Sequence, residues 1–229
     1  MQKFDKILFL CPLFEGIEPN DLRAMTACLG AREVFVRKNE AIWSEGDAAQ
    51  DVGILLGGGV QILRTDYYGS RSVMMQIAPG ELFGETFACA GVPTVPVSAL
   101  ATEDSRILLI NCQRLLTSCT NACAFHSRLI FNMLRIVAQK NLALHRRASI
   151  NAHRTTRGKL MAYLLEEAKR AGSASFSIPF DRQALADYLE VDRSGLSAEI
   201  GKLSREGVLR CSKNEFTLLQ PAQEAAQKR

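Results

Sequence analysis

The chain has 229 residues, of which 47% are hydrophobic and 23% are charged. This composition excludes a disordered or collagen-like protein, and the length suffices for one large domain or two smaller ones with buried cores. Residues 1–134 carry 11 basic and 14 acidic side chains, a net charge of −3, whereas residues 135–229 carry 17 and 10, a net charge of +7. The basic second part predicts contact with a polyanion, and a solvated basic surface is the alternative.

Two apolar stretches are present in the first part of the chain, and neither has the pattern of an export signal or a membrane span. Residues 7–14 follow basic residues, but Pro12 interrupts them and no cleavage site of small residues follows. Residues 86–102 form the longest uncharged run, yet they include Pro93 and Pro96 and are too short to span a bilayer. We therefore expect a cytoplasmic protein with no membrane partner.

The seven cysteines are an odd number in a chain without an export signal, which predicts reduced thiols. Cys119 and Cys123 are spaced by one helical turn, but no second pair or nearby histidine completes a metal site. The other five are scattered: Cys11, Cys28, Cys89, Cys112 and Cys211. We expect buried or inert thiols and no metal, with a redox pair or metal ligands as the alternative.

The first part of the chain changes from helical to strand-like patterning. Residues 19–29 (PNDLRAMTACL) predict a short capped helix. From residue 33, short runs rich in Val, Ile and Leu alternate with turn signals such as Gly46-Asp47, Gly58-Gly59 and Pro79-Gly80. Strands at this spacing predict an antiparallel barrel or roll that ends near Ile110.

A long helix is predicted after Asn121. Six residues recur at alternating spacings of four and three: Ile130, Leu134, Val137, Asn141, Leu144 and Ala148. This is the seam pattern of a two-stranded coiled coil, in which a polar residue such as Asn141 sets register and strand number. We predict self-dimerisation through this seam, and a long helix packed on its own domain is the alternative.

Near residues 148–153 the seam ends in the polar, basic stretch HRRASINAHRTTRGK, which is interpreted as a hinge. Beyond it the pattern predicts a helix over residues 156–171 stopped by Gly172, a strand in SFSIPF, two further helical segments, and a hairpin with its turn at Lys213-Asn214. Residues 222–229 are predicted to fray.

Residues 180–207 predict a helix–turn–helix. Asp181 and Asp192 are in position to cap its two helices. Its expected core consists of Leu185, Leu189, Val191, Leu196, Ile200 and Leu203. The second helix suits the major groove, with its N-terminal residues against base edges. The preceding strand and following hairpin indicate a winged helix–turn–helix, and a helical protein-interaction domain is the alternative.

The predicted DNA contacts form two groups. The residues expected to read bases are Arg193, Ser194 and Ser197. The residues placed for phosphates are Arg182, Gln183 and Lys202. Arg193 suits guanine O6 and N7, and the serines are permissive donors and acceptors. Phosphate contacts position a protein without specifying sequence.

Over residues 12–219 the sequence resembles the Crp/Fnr family of bacterial transcription regulators. The resemblance is carried by PLFEGIEPNDL, by PGELFGE, by the seam helix and by RQALADYLEVDRSGLSAEIGKLSREGVL. It implies an α+β fold with an antiparallel β-roll of the cyclic-nucleotide-binding type, a long dimerisation helix and a C-terminal winged helix–turn–helix. We expect an effector-sensing roll over residues 1–120, a dimerisation helix and hinge over 121–150, and a DNA-binding domain over 151–229.

The family's effector site is matched only in part. In the members that bind cyclic AMP, a Gly-Glu pair reaches the ribose and an Arg-Ser pair grips the cyclic phosphate. Gly84 and Glu85 match the first pair, but Val97 and Ser98 stand at the second. Residues 72–105 contain no Lys or Arg. Losing one buried ion-pair partner costs about 2–5 kcal/mol, so we predict that the roll does not use cyclic AMP.

A different effector is expected in the same place. The segment beginning at Thr86 and Phe87 gives a mostly apolar lining, which favours a small apolar or aromatic molecule. The expected effector contacts are Gly84, Glu85, Thr86, Phe87, Val97 and Ser98. Thiol-based redox sensing, a bound metal or haem, and a roll core without any effector are the alternatives. The iron–sulfur cluster of the oxygen-sensing members is not expected, because their group of N-terminal cysteines is absent.

The reading helix also departs from the family pattern. Members that read the TGA-type half-site carry a Glu and, four residues later, an Arg. Here Ser194 and Ala198 occupy those places. We therefore expect a different half-site, read mainly by Arg193, with the two half-sites about one helical turn, roughly 34 Å, apart.

The sequence predicts a homodimeric, sequence-specific DNA-binding transcription regulator with no catalytic site, metal or cofactor. Its expected partners are palindromic double-stranded DNA, a second copy and a small effector. RNA polymerase is a further candidate, although no residue pattern marks a surface for it. An enzyme on a cupin-like barrel would need metal ligands inside the roll, but the histidines lie beyond it, at positions 126, 145 and 153. A cyclic-nucleotide-binding module for a protein partner is disfavoured by the missing Arg and the winged helix.

Overall fold

The computed structural model divides the chain into two compact units, Met1–Gln139 and Lys140–Arg229. The structure describes residues 6–18, 21–22, 25, 28–117 and 124–219. The expectations for Cys119, Cys123 and residues 222–229 lie outside the described residues. The predicted first helix lies partly outside them as well, and residues 21, 22, 25 and 28 are helical.

Two four-stranded antiparallel sheets build the first unit. The strands are β1 (Arg32–Val36), β2 (Ala41–Trp43), β3 (Asp51–Gly57), β4 (Val60–Thr65), β5 (Arg71–Ile77), β6 (Leu82–Phe83), β7 (Ser98–Ala101) and β8 (Ser105–Asn111). One sheet has the order β1-β8-β3-β6 and the other β2-β7-β4-β5. The predicted antiparallel roll is confirmed, and its last strand ends at Asn111.

The central strands β3 and β8 are buried on both faces because their side chains alternate between two cores. In β3, Ile54 packs in one core and Leu55 in the other. In β8, Leu108 and Ile107 divide in the same way. The turn between β3 and β4 needs glycine at Gly58, where φ is +87° and a Cβ would meet the Asp104 carbonyl oxygen at 2.6 Å.

Helices cover one face of the roll. They are a 3₁₀ turn (Pro12–Phe14), α1 (Glu85–Ala90), α2 (Cys112–Leu116) and α3 (Ala124–Asn151). Leu129 and Met133 of α3 pack in the core beneath the first sheet. The buried Asn132 side chain donates to the carbonyl oxygens of Leu13 and Glu15, both at 2.9 Å, and thereby fixes the N-terminal segment on α3.

The described residues of the second unit form three further helices and a small sheet. Its elements are α4 (Thr156–Ala171), β9 (Ser175–Ser177), α5 (Arg182–Leu189), α6 (Arg193–Arg205), β10 (Leu209–Ser212) and β11 (Glu215–Leu218). The strand order is β10-β11-β9. Gly172 ends α4 at the predicted residue, with φ +63°. Residues 148–151, expected in the hinge, remain helical, and the chain leaves α3 only after Asn151.

No helix in the described part of the chain combines the length and the apolarity that a bilayer crossing requires.

Candidate functional site

The two helices of the helix–turn–helix begin at the predicted caps. Asp181 Oδ1 accepts the N–H of Ala184 at 2.8 Å, and Asp192 Oδ2 accepts the N–H of Gly195 at 2.9 Å. The Ser194 hydroxyl also donates to Asp192, and these donors hold the pKa of the Asp192 carboxyl below its ordinary value. The start of α6 is therefore set by its own first residues.

The core of the helix–turn–helix is confirmed. The five predicted leucine and isoleucine side chains are buried: Leu185, Leu189, Leu196, Ile200 and Leu203. Val191 in the turn is half-buried and packs against them. This packing directs one side of α6 inward and leaves the other side exposed to solvent.

The exposed side of α6 carries four of the six predicted DNA contacts. Arg193, Ser194, Ser197 and Lys202 are all exposed, and the first three lie within the first two turns. The other exposed residues between them are small, namely Gly195, Ala198 and Gly201, so the helix backbone lies near the surface. Such a surface lets a helix enter a groove closely and present short polar side chains to base edges.

The other two predicted DNA contacts lie at the start of α5 and are engaged within the protein. Arg182 is half-buried, and its Nη2 donates to Cys211 Sγ at 3.3 Å and to the Lys213 carbonyl oxygen at 3.4 Å. Gln183 is exposed, and its amide donates to Asp187 at 2.9 Å. Arg182 thus ties α5 to the hairpin, and its contact with a phosphate stays a prediction.

The hairpin after α6 has the predicted turn. Strands β10 and β11 pair with Ser212 opposite Glu215, which leaves Lys213 and Asn214 at the tip. Lys213 is exposed and has φ +53°, and the Asn214 amide donates to the Ile178 carbonyl oxygen at 3.2 Å. The hairpin is thereby fixed beside the segment that leads into α5.

The Gly-Glu turn of the roll is closed by a tryptophan. Gly84 has φ +80°, and a Cβ there would lie 2.9 Å from Trp43 Cη2. The Trp43 ring stacks on Phe83 with ring centroids 5.1 Å apart. Glu85 is buried, and its Oε1 accepts the Thr86 hydroxyl at 3.0 Å. Only glycine fits at position 84, because both the backbone angle and the indole exclude a side chain.

The place of the family's Arg-Ser pair is occupied by groups that are already engaged. Val97 is 5% exposed, and Ser98 Oγ accepts the N–H of Glu45 at 3.0 Å. Two backbone hydrogen bonds, each of 2.9 Å, join Val95 to Gly46 and Asp47 and hold this loop in place. An anion at this position would contact the buried apolar side chain of Val97. The surrounding sequence, residues 72–105, supplies no Lys or Arg to pair with it.

The two halves of the predicted effector site meet at Trp43. The ring of this residue packs at Gly84, and its backbone pairs with Ala99 in the ladder between β2 and β7. Val97 and Ser98 are the two residues that directly precede Ala99 in the chain. Thr86 is exposed and Phe87 is half-buried on α1. Trp43 therefore links the Gly84 turn to the strand that follows Val97, in a mostly aromatic and aliphatic corner of the roll.

The predicted seam residues lie on α3. Leu134 and Leu144 are each 67% exposed, and Asn141 is exposed as well. Ile130 and Val137 are half-buried. Large apolar side chains exposed at coiled-coil spacing are available to a second helix.

Two family models match the chain in order. Residues 33–121 match the cyclic nucleotide-binding domain, and residues 158–223 match the Crp-like helix–turn–helix domain. The chain belongs to the Crp/Fnr family. It is therefore a DNA-binding transcription regulator with a domain of the cyclic-nucleotide-binding type.

Relatives of this Crp/Fnr protein align along most of its length. It is 26% identical to the cyclic AMP receptor protein of Thermus thermophilus over 200 residues, which cover 87% of this chain and 82% of the relative. It is 25% identical to the nitrogen fixation regulation protein FixK of Azorhizobium caulinodans over 206 residues, 85% of this chain and 77% of the relative. The structure of the c-di-GMP responsive global regulator CLP of Xanthomonas campestris shares the fold, with a TM-score of 0.54, 18% identity, and coverage of 89% of this chain and 100% of that one.

Three features of this Crp/Fnr regulator were missed in the sequence. Trp43 packs against the Gly84 turn. It is the only tryptophan in the sequence, and this was the one feature that could have drawn attention to it. Arg205 is exposed eleven residues after Ser194, a spacing that places both on one helix face. Cys89 Sγ lies 3.5 Å from Cys112 Sγ, and no local pattern pairs them.

Among the residues that the structure describes, no group of three or more His, Cys, Asp or Glu side chains is arranged to hold a metal ion.

Proposed function

We propose that this Crp/Fnr regulator is a homodimer that binds palindromic DNA under the control of a small effector other than cyclic AMP. The observation that carries the effector part is the buried Val97 at the position of the family's phosphate-gripping Arg. The neighbouring Ser98 already accepts a backbone N–H. We further propose that the protein acts in the cytoplasm, where a bacterial regulator meets its DNA, and that it performs no catalysis.

Electrostatics argues against a cyclic phosphate at this corner. The stretch from residue 72 to 105 has four acidic side chains and no basic one. Without the Arg partner the site loses about 2–5 kcal/mol, which corresponds to roughly 30- to 4000-fold in affinity.

The same corner suits a small apolar or aromatic molecule. The half-buried aromatic side chains of Trp43 and Phe87 flank the Gly84 turn in the structure and in sequence, and the buried Phe83 and Val97 keep this region apolar. The buried Trp43 Nε1–H has no acceptor within the described residues. A buried donor without an acceptor costs about 1–3 kcal/mol, which a carbonyl or carboxyl oxygen on the effector would relieve.

Thermal-shift measurements on the purified protein test the effector part. Cyclic AMP and cyclic GMP should give no saturable shift at micromolar concentrations, whereas a member of a panel of small aromatic and aliphatic acids should raise the midpoint. A ligand at a hundredfold excess over Kd adds about 2.7 kcal/mol to the stability of the folded state. Phe87→Ala should abolish the shift, and Phe35→Ala, at a 62% exposed phenylalanine elsewhere on the roll, should not. Saturable micromolar binding of cyclic AMP would overturn the proposal.

Selection from a random DNA pool tests the DNA part. The dimer should enrich a palindrome whose half-sites are about one helical turn apart, because α6 of each copy enters the major groove. Enrichment of a single unrepeated half-site, or of no sequence, would contradict the proposed assembly on DNA.

Redox control is the second candidate, and the contact between Cys89 and Cys112 is the observation that favours it.

A further inference from the structure

Two cysteines meet at the base of the effector turn. Cys89 is in the last turn of α1, and Cys112 is the first residue of α2. Their sulfur atoms lie 3.5 Å apart, although the residues are 23 positions apart in sequence. Cys112 is 2% exposed in the core beneath the first sheet, and the half-buried Cys89 packs against that core.

We propose that Cys89 and Cys112 are an oxidisable dithiol whose disulfide ties α1 to α2. A disulfide bond is about 2.05 Å long, so the sulfurs must approach by about 1.5 Å from their separation of 3.5 Å. Helix α1 has only six residues and lies between Gly84 and Gly91, both with positive φ. The disulfide therefore requires a small movement of this short helix, and the glycines at both of its ends have the least restricted backbone angles.

The contact makes the two thiols chemically unequal. The hydrogen bond between the two sulfur atoms lowers the pKa of Cys89, while burial and the charge of Glu85 act in the opposite direction. The same contact and burial raise the pKa of Cys112. Because Cys89 is half-buried whereas Cys112 is 2% exposed, and because the thiolate is the nucleophile, Cys89 is the sulfur that reacts first and Cys112 is the resolving thiol.

Hydrogen peroxide is a sufficient oxidant, and the step balances. The Cys89 thiolate attacks one peroxide oxygen, the O–O bond breaks, and the departing hydroxide takes up a proton to become water. The Cys112 sulfur then attacks the Cys89 sulfenic acid, loses its proton, and displaces the second oxygen as water. Two thiols lose two electrons in total, and one peroxide is reduced to two waters.

The consequence for regulation rests on the proposed function. Glu85, Thr86 and Phe87, the expected effector contacts on α1, share a six-residue helix with Cys89. A disulfide to α2 would hold this helix in one position. The oxidised and reduced proteins should therefore differ in their affinity for DNA.

Peptide mapping of the full-length protein tests the chemistry. Reduced protein is treated with hydrogen peroxide, the remaining thiols are blocked with N-ethylmaleimide, and peptides are mapped with and without dithiothreitol. The expected result is a reducible peptide pair that joins Cys89 to Cys112, absent in Cys89→Ser and retained in Cys28→Ser, at an exposed cysteine. The Cys112→Ser variant is not used, because a change in the core could prevent folding. The test therefore depends on the peptides linked in the wild-type protein and on their absence in Cys89→Ser. A stable sulfenic acid at Cys89, or its linkage to another cysteine, would overturn the proposal.

A second measurement separates the disulfide from its role in regulation. The duplex selected with reduced protein is titrated with oxidised and with reduced protein, and we expect its affinity to change at least about tenfold in wild type and not in Cys89→Ser. Equal affinities together with a mapped disulfide would overturn the regulatory consequence alone. If the reduced protein selects no duplex, the proposed DNA function fails, and peptide mapping still decides the chemistry.

Discussion

Gly195 donates its N–H to Asp192 Oδ2 at 2.9 Å, yet a methyl group at Gly195 would still lie 3.8 Å from that oxygen. The protein itself therefore has room for alanine at this position. Alanine in a helix is favoured over glycine by about 0.5–1 kcal/mol. The glycine is thus unexplained by packing, and close approach of the helix backbone to DNA is the reason we propose.

Gly195→Ala should raise the free energy of unfolding by up to about 0.5–1 kcal/mol and weaken DNA binding. The matched control is Gly201→Ala, because Gly201 is in the same helix, about 9 Å further along, with no atom within 4 Å of its added Cβ. Gly201→Ala should stabilise the folded protein without reducing its affinity for DNA. Urea unfolding and fluorescence anisotropy measure the two effects. Unchanged DNA affinity for Gly195→Ala would leave this glycine without a function.

Arg193→Ala should relax the base preference at one position in each half-site. An Arg that pairs with guanine O6 and N7 contributes about 1–3 kcal/mol of discrimination, and its exposed position at the start of α6 suits this role. Lys202→Ala is the comparison, because loss of a phosphate contact weakens all sequences alike and reduces the salt dependence. Affinities for single-base variants of the selected duplex distinguish the two. Uniform weakening by Arg193→Ala would assign Arg193 to the phosphates.

The elements predicted best are those specified by neighbouring residues. The caps at Asp181 and Asp192, the bounds of α4 and the buried side of α6 depend on contacts within four positions of one another, which spacing reveals directly. The roll was predicted as a class of fold, because turn signals mark where strands end without naming their partners.

The candidate site was less predictable because its contacts join distant parts of the chain. The Trp43 ring meets Gly84, Cys89 meets Cys112, and Arg182 reaches the hairpin at Cys211. Each pair depends on how strands and helices pack after they form. Local periodicity carries no information on such pairs, so the contacts of Arg182 with the hairpin could not be predicted, and its contact with a phosphate stays a prediction.

The cap of α6 predicts a pH dependence. The Ser194 hydroxyl and the Gly195 N–H hold the pKa of Asp192 below its ordinary value of 3.8. A group with a lowered pKa in the folded state contributes stability that is fully present above the unfolded-state pKa and is lost as the pH falls through the folded-state pKa. The stability advantage of wild type over Asp192→Asn should therefore shrink below about pH 4, measured as urea midpoints. The stability advantage of wild type over Ser194→Ala should also shrink below about pH 4, but by less, because the variant loses only the hydroxyl donor to Asp192 and keeps the Gly195 N–H. A constant difference between wild type and Asp192→Asn across this range would contradict the assignment.

The seam residues of α3 predict how the protein dimerises. Leu134→Glu should dissociate the dimer, because it places a charge at a seam position that is 67% exposed in the isolated chain and covered in the proposed coiled coil. Leu142→Glu is the matched control: the same helix, the same residue type and 57% exposure, but a position outside the 4,3 spacing. Sedimentation equilibrium should show a monomer for the first variant and a dimer for the second. Circular dichroism confirms that both remain folded. Dissociation by Leu142→Glu alone would move the interface to the other side of the helix and remove the seam as the basis of assembly.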